Sequence, residues 1–243
     1  MATSIQAKRA LISRFFDLHR ATDAPTAYYA LYHDPSRSTL AASAQDGFVG
    51  RFQTGIDLFR PLVAMHCFAP EPAADLLAEV LTAGRAYLFF APLGQLALVG
   101  GSLELSNERI LSIYTLDRAR FAPEINVTVI DRSAPDGTPR CEIMTPQQGR
   151  SEPAAVAGVN WQSPGFAEIY VQTQPEFRGQ NYGQRVLTRC TERVLQGGRI
   201  PLYLVEPNNM PSVNLASKIG YVDSGARQVL ADVVYRGHPG RRL

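Results

Sequence analysis

Gln174-Pro175-Glu176-Phe177-Arg178-Gly179-Gln180-Asn181-Tyr182-Gly183 is the stretch on which the reading turns. Before it, residues 167–173 (AEIYVQT) read as a strand. After it, residues 182–195 place Val186, Leu187, Cys190, Val194 and Leu195 on one side of a helix that Gly197-Gly198 ends. Where a strand runs through a glycine-bearing turn into a helix, the first helical amides have no internal partners. Those amides and the helix dipole favour an anion above the helix start. Gly179 and Gly183 let the backbone approach a bulky phosphate, and Arg178 adds a fixed charge with a planar donor fork. The stretch therefore reads as a diphosphate site. Spacing excludes two other phosphate loops. A G-x-G-x-x-G pattern is absent, and Gly183 follows Gly179 after three residues with no Lys-Ser or Lys-Thr behind it.

Working outward, 154–161 and 200–205 read as strands, 211–219 as a short helix with Pro211 near its start and Gly220 past its end, and 228–235 as a last strand. Upstream, 4–19 carries apolar residues at helical spacing, and strands at 38–42 and 47–52 flank the turn Gln45-Asp46-Gly47. A third apolar run covers 61–68, a helix runs from 71 to 81 and stops at Gly84, and a short strand covers 86–90. Residues 131–140 and 145–153, rich in Pro, Gly and polar residues, read as loops. This alternation predicts an α/β architecture. The segment Val80-Leu81-Thr82-Ala83-Gly84-Arg85 is echoed by Val194-Leu195-Gln196-Gly197-Gly198-Arg199, and each piece ends a predicted helix before a predicted strand. The echo predicts two tandem related units, residues 1–125 and 126–243. At the same offset, Arg178–Gly183 falls opposite Ala64-Met65-His66-Cys67-Phe68-Ala69, which has neither glycine nor arginine, so the first unit is not expected to share the cradle.

The loop and its flanks resemble the GNAT superfamily of acyl-CoA N-acyltransferases, whose loop reads [Q/R]-x-x-G-x-[G/A] after a Pro-x-x-Arg-Gly step. Arg178 takes the first place and Gly183 the last, while Asn181 stands where the first glycine is usual; Asn tolerates a left-handed backbone better than most residues. Downstream, the segment from Asn209 to Tyr221 (NMPSVNLASKIGY) resembles the family pattern N-x-x-[AS]-x-x-L-Y-x-K-x-G-[FY]. The resemblance covers residues 154–235. It implies a GNAT fold, with acetyl-CoA as acyl donor lying in a splay between the strands 167–173 and 200–205. It further implies that Arg178, Gly179, Gln180, Asn181, Tyr182 and Gly183 hold the pyrophosphate. The backbone of Val171 and Thr173 would bond the pantetheine arm, Asn209 would help hold that arm, and Ser212 would face the cofactor.

The implied reaction is direct acyl transfer to an amine, which needs a group to remove the amine proton. Glu168, on the strand feeding the loop, is the candidate base, with Glu206 second. Family members often place a general-acid tyrosine where Ala216 stands here, so Tyr170, Tyr182 and Tyr221 are the substitutes in reach. The four histidines lie outside the matched segment or in the tail. The expected function is an N-acetyltransferase acting on a small-molecule amine or amino acid. The alternatives are a non-catalytic acyl-CoA sensor and a peptide N-acetyltransferase. The first half is expected to be a degenerate GNAT-like unit that shapes the acceptor pocket.

Composition agrees with a globular chain: 243 residues, 45% hydrophobic, 19% charged, net charge +2. That charge gives no reason to expect a nucleic-acid partner, and the basic tail Arg236, Arg241, Arg242 reads as a solvated end. The three cysteines, Cys67, Cys141 and Cys190, are widely spaced, so neither a disulfide framework nor a metal site is expected. There is no apolar core of signal-peptide length at the N-terminus and no run near the roughly 18 apolar residues of a membrane span. The expectation is a cytoplasmic protein, monomer or homodimer, with no membrane partner.

Overall fold

The computed structural model describes residues 4–55, 57–123, 128–145 and 152–240. In chain order the helices are α1 (Ile5–Ile12), α2 (Ala24–Ala27), α3 (Pro70–Val80), α4 (Tyr182–Gln196) and α5 (Met210–Ile219). The strands are β1 (Ser38–Ser43), β2 (Gly47–Phe52), β3 (Leu62–Cys67), β4 (Ala86–Pro92), β5 (Leu103–Leu116), β6 (Ile130–Ser133), β7 (Pro139–Ile143), β8 (Ala155–Gln162), β9 (Phe166–Thr173), β10 (Ile200–Val205) and β11 (Tyr221–Tyr235). The protein is α/β. It forms two compact units: Met1–Leu111 with Ala226–Leu243, and Ser112–Gly225. The units divide between Leu111 and Ser112, where the sequence reading set 125/126, and residues 226–243 belong to the first.

The first unit carries a mixed sheet in the order β1-β2-β3-β4-β11. Three antiparallel strands lead through α3 into β4, which runs parallel to β3, and β11 lies antiparallel on β4. Its core gathers Val63, Met65, Leu77, Tyr87, Phe89 and Val233 under α3. The second unit repeats the scheme in the order β5-β10-β9-β8-β7-β6, with α4 joining the parallel pair β9 and β10 and with β5 antiparallel on β10. Val186, Leu187, Cys190 and Val194 of α4 are buried against Ile169, Tyr203 and Tyr221. A fully buried side chain of the Val or Leu kind contributes about 1.5–3 kcal/mol. The helix is therefore held by its packing more than by its own propensity.

The echo seen in the sequence has the same backbone in both units. Gly84 and Gly198 each sit at φ 76°, a left-handed value that glycine alone takes without cost, and β4 and β10 each begin two residues later. Two sequence readings need correction. The helix expected over 4–19 gives way to a 3-10 turn at Ser13–Phe15. Residues 131–140 are not a loop throughout. They supply most of the β6–β7 hairpin, whose turn is closed by Asp136 Oδ1 accepting from Thr138 N (3.0 Å) and Oγ1 (2.7 Å). The segment read as a loop at 145–153 lies mostly outside the described residues.

Candidate functional site

The parallel pair β9 and β10 is registered only over Ile200↔Phe166, Pro201↔Ala167 and Leu202↔Glu168. Beyond that point the two strands continue without pairing to each other, which makes a fan with Glu168 at its apex. On the other side β9 stays paired with β8 as far as Ala155↔Thr173, and the ladder continues with Gln174 N donating to the carbonyl of Ala154 (2.9 Å). In an antiparallel ladder alternate residues bond to one neighbour, so Gln174, Gln172 and Tyr170 face β8. Val171 and Thr173 then turn their N–H and C=O groups into the fan.

The loop after β9 ends the fan at the start of α4. Gly179 has φ 79° with nothing within 4 Å of the position a Cβ would take, and Asn181 has φ 59°, ψ 12° as the cap of α4. Asparagine is among the few residues that take this left-handed conformation readily. Gly183 is required by space: a Cβ there would stand 2.9 Å from Thr173 Oγ1 and 3.6 Å from Leu215 Cδ2. The glycine thus lets the first turn of α4 close on β9. The amides of 182–184 are free of intrahelical bonds, the first turn holds no acidic residue, and Arg178 is exposed beside them.

These residues line a cavity of about 620 Å³ together with Phe177, Gln184, Pro211, Asn214, Leu215 and Lys218. The cavity carries Arg178 and Lys218 and no carboxylate among its lining residues, so its charge as well as its helix-start amides favours an anion. Of the residues assigned to the cofactor from sequence, Val171, Thr173, Arg178, Gly179, Asn181, Tyr182, Gly183, Asn209 and Ser212 line it. Gln180 is exposed in the same loop and is not in the lining. Asn209 caps α5, its Oδ1 accepting from Ser212 N at 3.4 Å, so its Nδ2 is the end left for a ligand. The free space beside Gly179, the unfilled strand edge and the two cations fit a nucleotide pyrophosphate followed by an extended amide-bearing arm. Lys218 and Gln184 were not picked out from sequence, although Lys218 stands in the quoted Asn209–Tyr221 motif.

Glu168 does not line the cavity; it is half-buried at the fan's apex, on the sheet face opposite α4. Burial pushes its carboxyl up to about 7, against hydrogen bonds from Asn160 and Trp161 that pull the other way. A carboxyl that titrates near neutrality suits proton transfer. Glu206 is half-buried just past β10. Among the tyrosines, Tyr221 is buried with its hydroxyl on Thr191 Oγ1 (2.8 Å), and burial raises its pKa, which makes it a packing residue. Tyr170 accepts from Arg140 Nη1 at 3.0 Å, while Tyr182 lines the cavity, stacked on Phe177. Ala216 is fully buried.

The first unit has the same strand–helix–strand plan without the cradle. β3 and β4 pair only at Leu62↔Leu88 and Val63↔Phe89. Two residues, against eight in the second unit, separate the strand from its helix. Pro70 and Pro72 remove two of the amides at the start of α3. The edge of β3 is covered from within: Gln95 Oε1 accepts from Cys67 N (2.8 Å), and Gln95 Nε2 donates to the Cys67 carbonyl (3.2 Å). A side-chain amide thus makes there the pair of bonds that Val171 and Thr173 leave open in the second unit. Among the described residues no group of three or more His, Cys, Asp or Glu is placed to hold a metal ion, and no helix is long and apolar enough to cross a membrane.

Residues 149–229, which span the loop, α4, β10 and α5, match the FR47-like protein family. No curated protein matches the sequence. Among solved structures the chain is similar to a GCN5-related N-acetyltransferase from Kribbella flavida, with 15% identity, 83% of this chain and 91% of that chain covered, and TM-score 0.59. It is also similar to a tandem GNAT protein from the clavulanic acid biosynthesis pathway, with 13% identity, 99% and 96% covered, and TM-score 0.61. A GNAT-family protein from Novosphingobium aromaticivorans shares 16% identity over 80% and 90% of the two chains, with TM-score 0.57. At such identities the likeness is one of fold. The chain thus has the fold of GNAT acetyltransferases, and its segment from the loop to α5 resembles the FR47-like family.

Proposed function

We propose that the protein is an acyl-CoA-dependent N-acyltransferase that moves an acetyl group from acetyl-CoA to a primary amine of a small molecule or amino acid. The observation that carries this reading is the continuity of three features in the second unit: a cationic amide cradle at the start of α4, an open edge of β9, and a carboxyl titrating near neutrality where the fan begins. The thioester, when bound, supplies an activated carbonyl. Arg178, Lys218 and the first amides of α4 hold the phosphates; the backbone of Val171 and Thr173 and the Nδ2 of Asn209 hold the arm; and Gly183 keeps the cradle tight against Thr173. Glu168 accepts the proton that the acceptor nitrogen loses as it bonds to the acyl carbon and the sulfur departs. One cofactor per chain is expected, because Gln95 and the two prolines leave the first unit no equivalent site.

A specific observation favours a second reading, a non-catalytic acyl-CoA sensor: buried Ala216 stands where a general acid is usual in the family. Incubating the protein with acetyl-CoA and a panel of small amines while following release of the CoA thiol separates the two. Acceptor-dependent thiol release supports the transferase; tight CoA binding with no release across the panel supports the sensor.

A further inference from the structure

β8 and β9 lose register at one place. Val159 pairs with Ile169 and Trp161 with Glu168, so Asn160 is an extra residue bulged out of β8. A bulge re-aims the side chain it carries. Here the exposed Asn160 turns across to β9, and its Nδ2 donates to Glu168 Oε1 at 3.1 Å. The bulge stands at the level where the pairing of β9 with β10 ends, so three features meet at one residue pair: the apex of the fan, the titratable carboxyl and the interruption of the ladder.

We propose that Asn160 is a positioning residue for the acyl transfer: its amide holds the Glu168 carboxylate in place at the apex and favours the ionised form that accepts the amine proton. The proposal rests on the reading of Glu168 as the base. Asn160 follows Val159, the partner of Ile169, so it lies across from Glu168 on the same face, and the bulge sets Trp161 opposite the same carboxyl as well. Among the described residues, Asn160 is the exposed one of two donors to the carboxyl. Trp161 also donates to the carboxyl but from a side chain held in the core, and Leu202, opposite on β10, is apolar. The titratable and charged groups on this face are Tyr170 on β9, Arg140 and Glu142 on β7, and Arg132 on β6. Tyr170 accepts from Arg140, and Glu142 is paired with Arg140 (2.5 Å) and Arg132 (2.8 Å). That chain is closed on itself and supplies no donor to Glu168.

Trp161 is the chain's single tryptophan and adjoins the carboxyl, so its fluorescence reads the ionisation without reference to activity. The experiment titrates Trp161 fluorescence, and in parallel the side-chain carboxyl 13C signal, in the full-length protein and in Glu168→Gln, Asn160→Ala and Asn160→Asp. Glu168→Gln removes the transition and so assigns it. Losing one donor to the charged form moves the midpoint upward in Asn160→Ala by about half a unit to one unit. Asn160→Asp moves it further, because a second carboxylate disfavours ionisation. The acidic limb of kcat/KM is expected to move with the midpoint, and KM for acetyl-CoA to stay where it is. A midpoint and limb that stay put in Asn160→Ala, or a loss of activity with no change in the pH profile, would overturn the positioning role while leaving an inactive Glu168→Gln as support for the base. Full activity in Glu168→Gln would sink the base reading itself, and the proposal with it, so the two failures are distinct.

Discussion

Replacing Glu168 with glutamine should make the protein both less active and more stable, with the stability gain confined to one side of a pH window. Burial raises the carboxyl from 4.5 to about 7. Between those values the folded state keeps a proton that the unfolded chain releases, so stability falls as pH rises through the window. A rise of that size corresponds to roughly 3 kcal/mol once the pH is well above 7. The glutamine side chain is neutral at every pH and escapes that cost. Below about pH 4.5 both proteins are uncharged at this position and should unfold alike; by pH 8.5 the variant should be more stable by up to about 3 kcal/mol. For a chain of this size each kcal/mol corresponds to roughly 2–4 °C in Tm. The assay is urea unfolding at pH 4.5 and pH 8.5 followed by Trp161 fluorescence, paired with kcat/KM at pH 8. Loss of a general base lowers kcat/KM by about 10²–10⁴. KM for acetyl-CoA should be unchanged, because Glu168 is not in the cavity lining. Equal stability differences at the two pH values, or a variant less stable at pH 8.5, would refute the account of a carboxyl whose ionised form burial disfavours.

Two further substitutions probe the cradle. Arg178→Glu sets a negative charge against the pyrophosphate in place of a charge-assisted donor and should weaken CoA binding about 100-fold at low salt, less as salt is raised; calorimetry at two ionic strengths reads both parts, and unchanged affinity would place the anion elsewhere. Gly183→Val drives a branched side chain into Thr173 Oγ1, already 2.9 Å from the Cβ position, and should cost about 1–3 kcal/mol of stability as well as CoA affinity; a melting curve like that of the parent would mean that α4 does not close on β9 there.

The parts legible in the sequence are those where local pattern and tertiary demand coincide. The run from β9 through Arg178 to α4 states its own structure, because the strand, the left-handed turn residues and the amphipathic helix are each local signals. Asn181 at φ 59° is one such case. The shared Val-Leu-x-x-Gly-Arg step at Gly84 and Gly198 is another. β5 is not legible: its central residues 105–110 are exposed or half-buried, Asn107 interrupts them at φ 51°, and no period-2 alternation appears. β6 is an exposed edge strand whose Asp-Gly and Pro neighbours look like loop until β7 pairs with it. At the site, Asn160 escapes any reading of spacing, because its bond to Glu168 is made across two strands rather than with its neighbours in the chain. Gln95 escapes for a related reason. Its amide meets Cys67 only after a 3-10 turn folds back on the sheet.

The central claim is a single acyl-CoA site in the second unit. Isothermal titration of the full-length protein with acetyl-CoA tests it most directly, through the stoichiometry and through the loss of heat in Arg178→Glu. The account predicts one equivalent bound per chain and binding severely weakened by that substitution. Two equivalents per chain, or one equivalent that Arg178→Glu leaves intact, would contradict it.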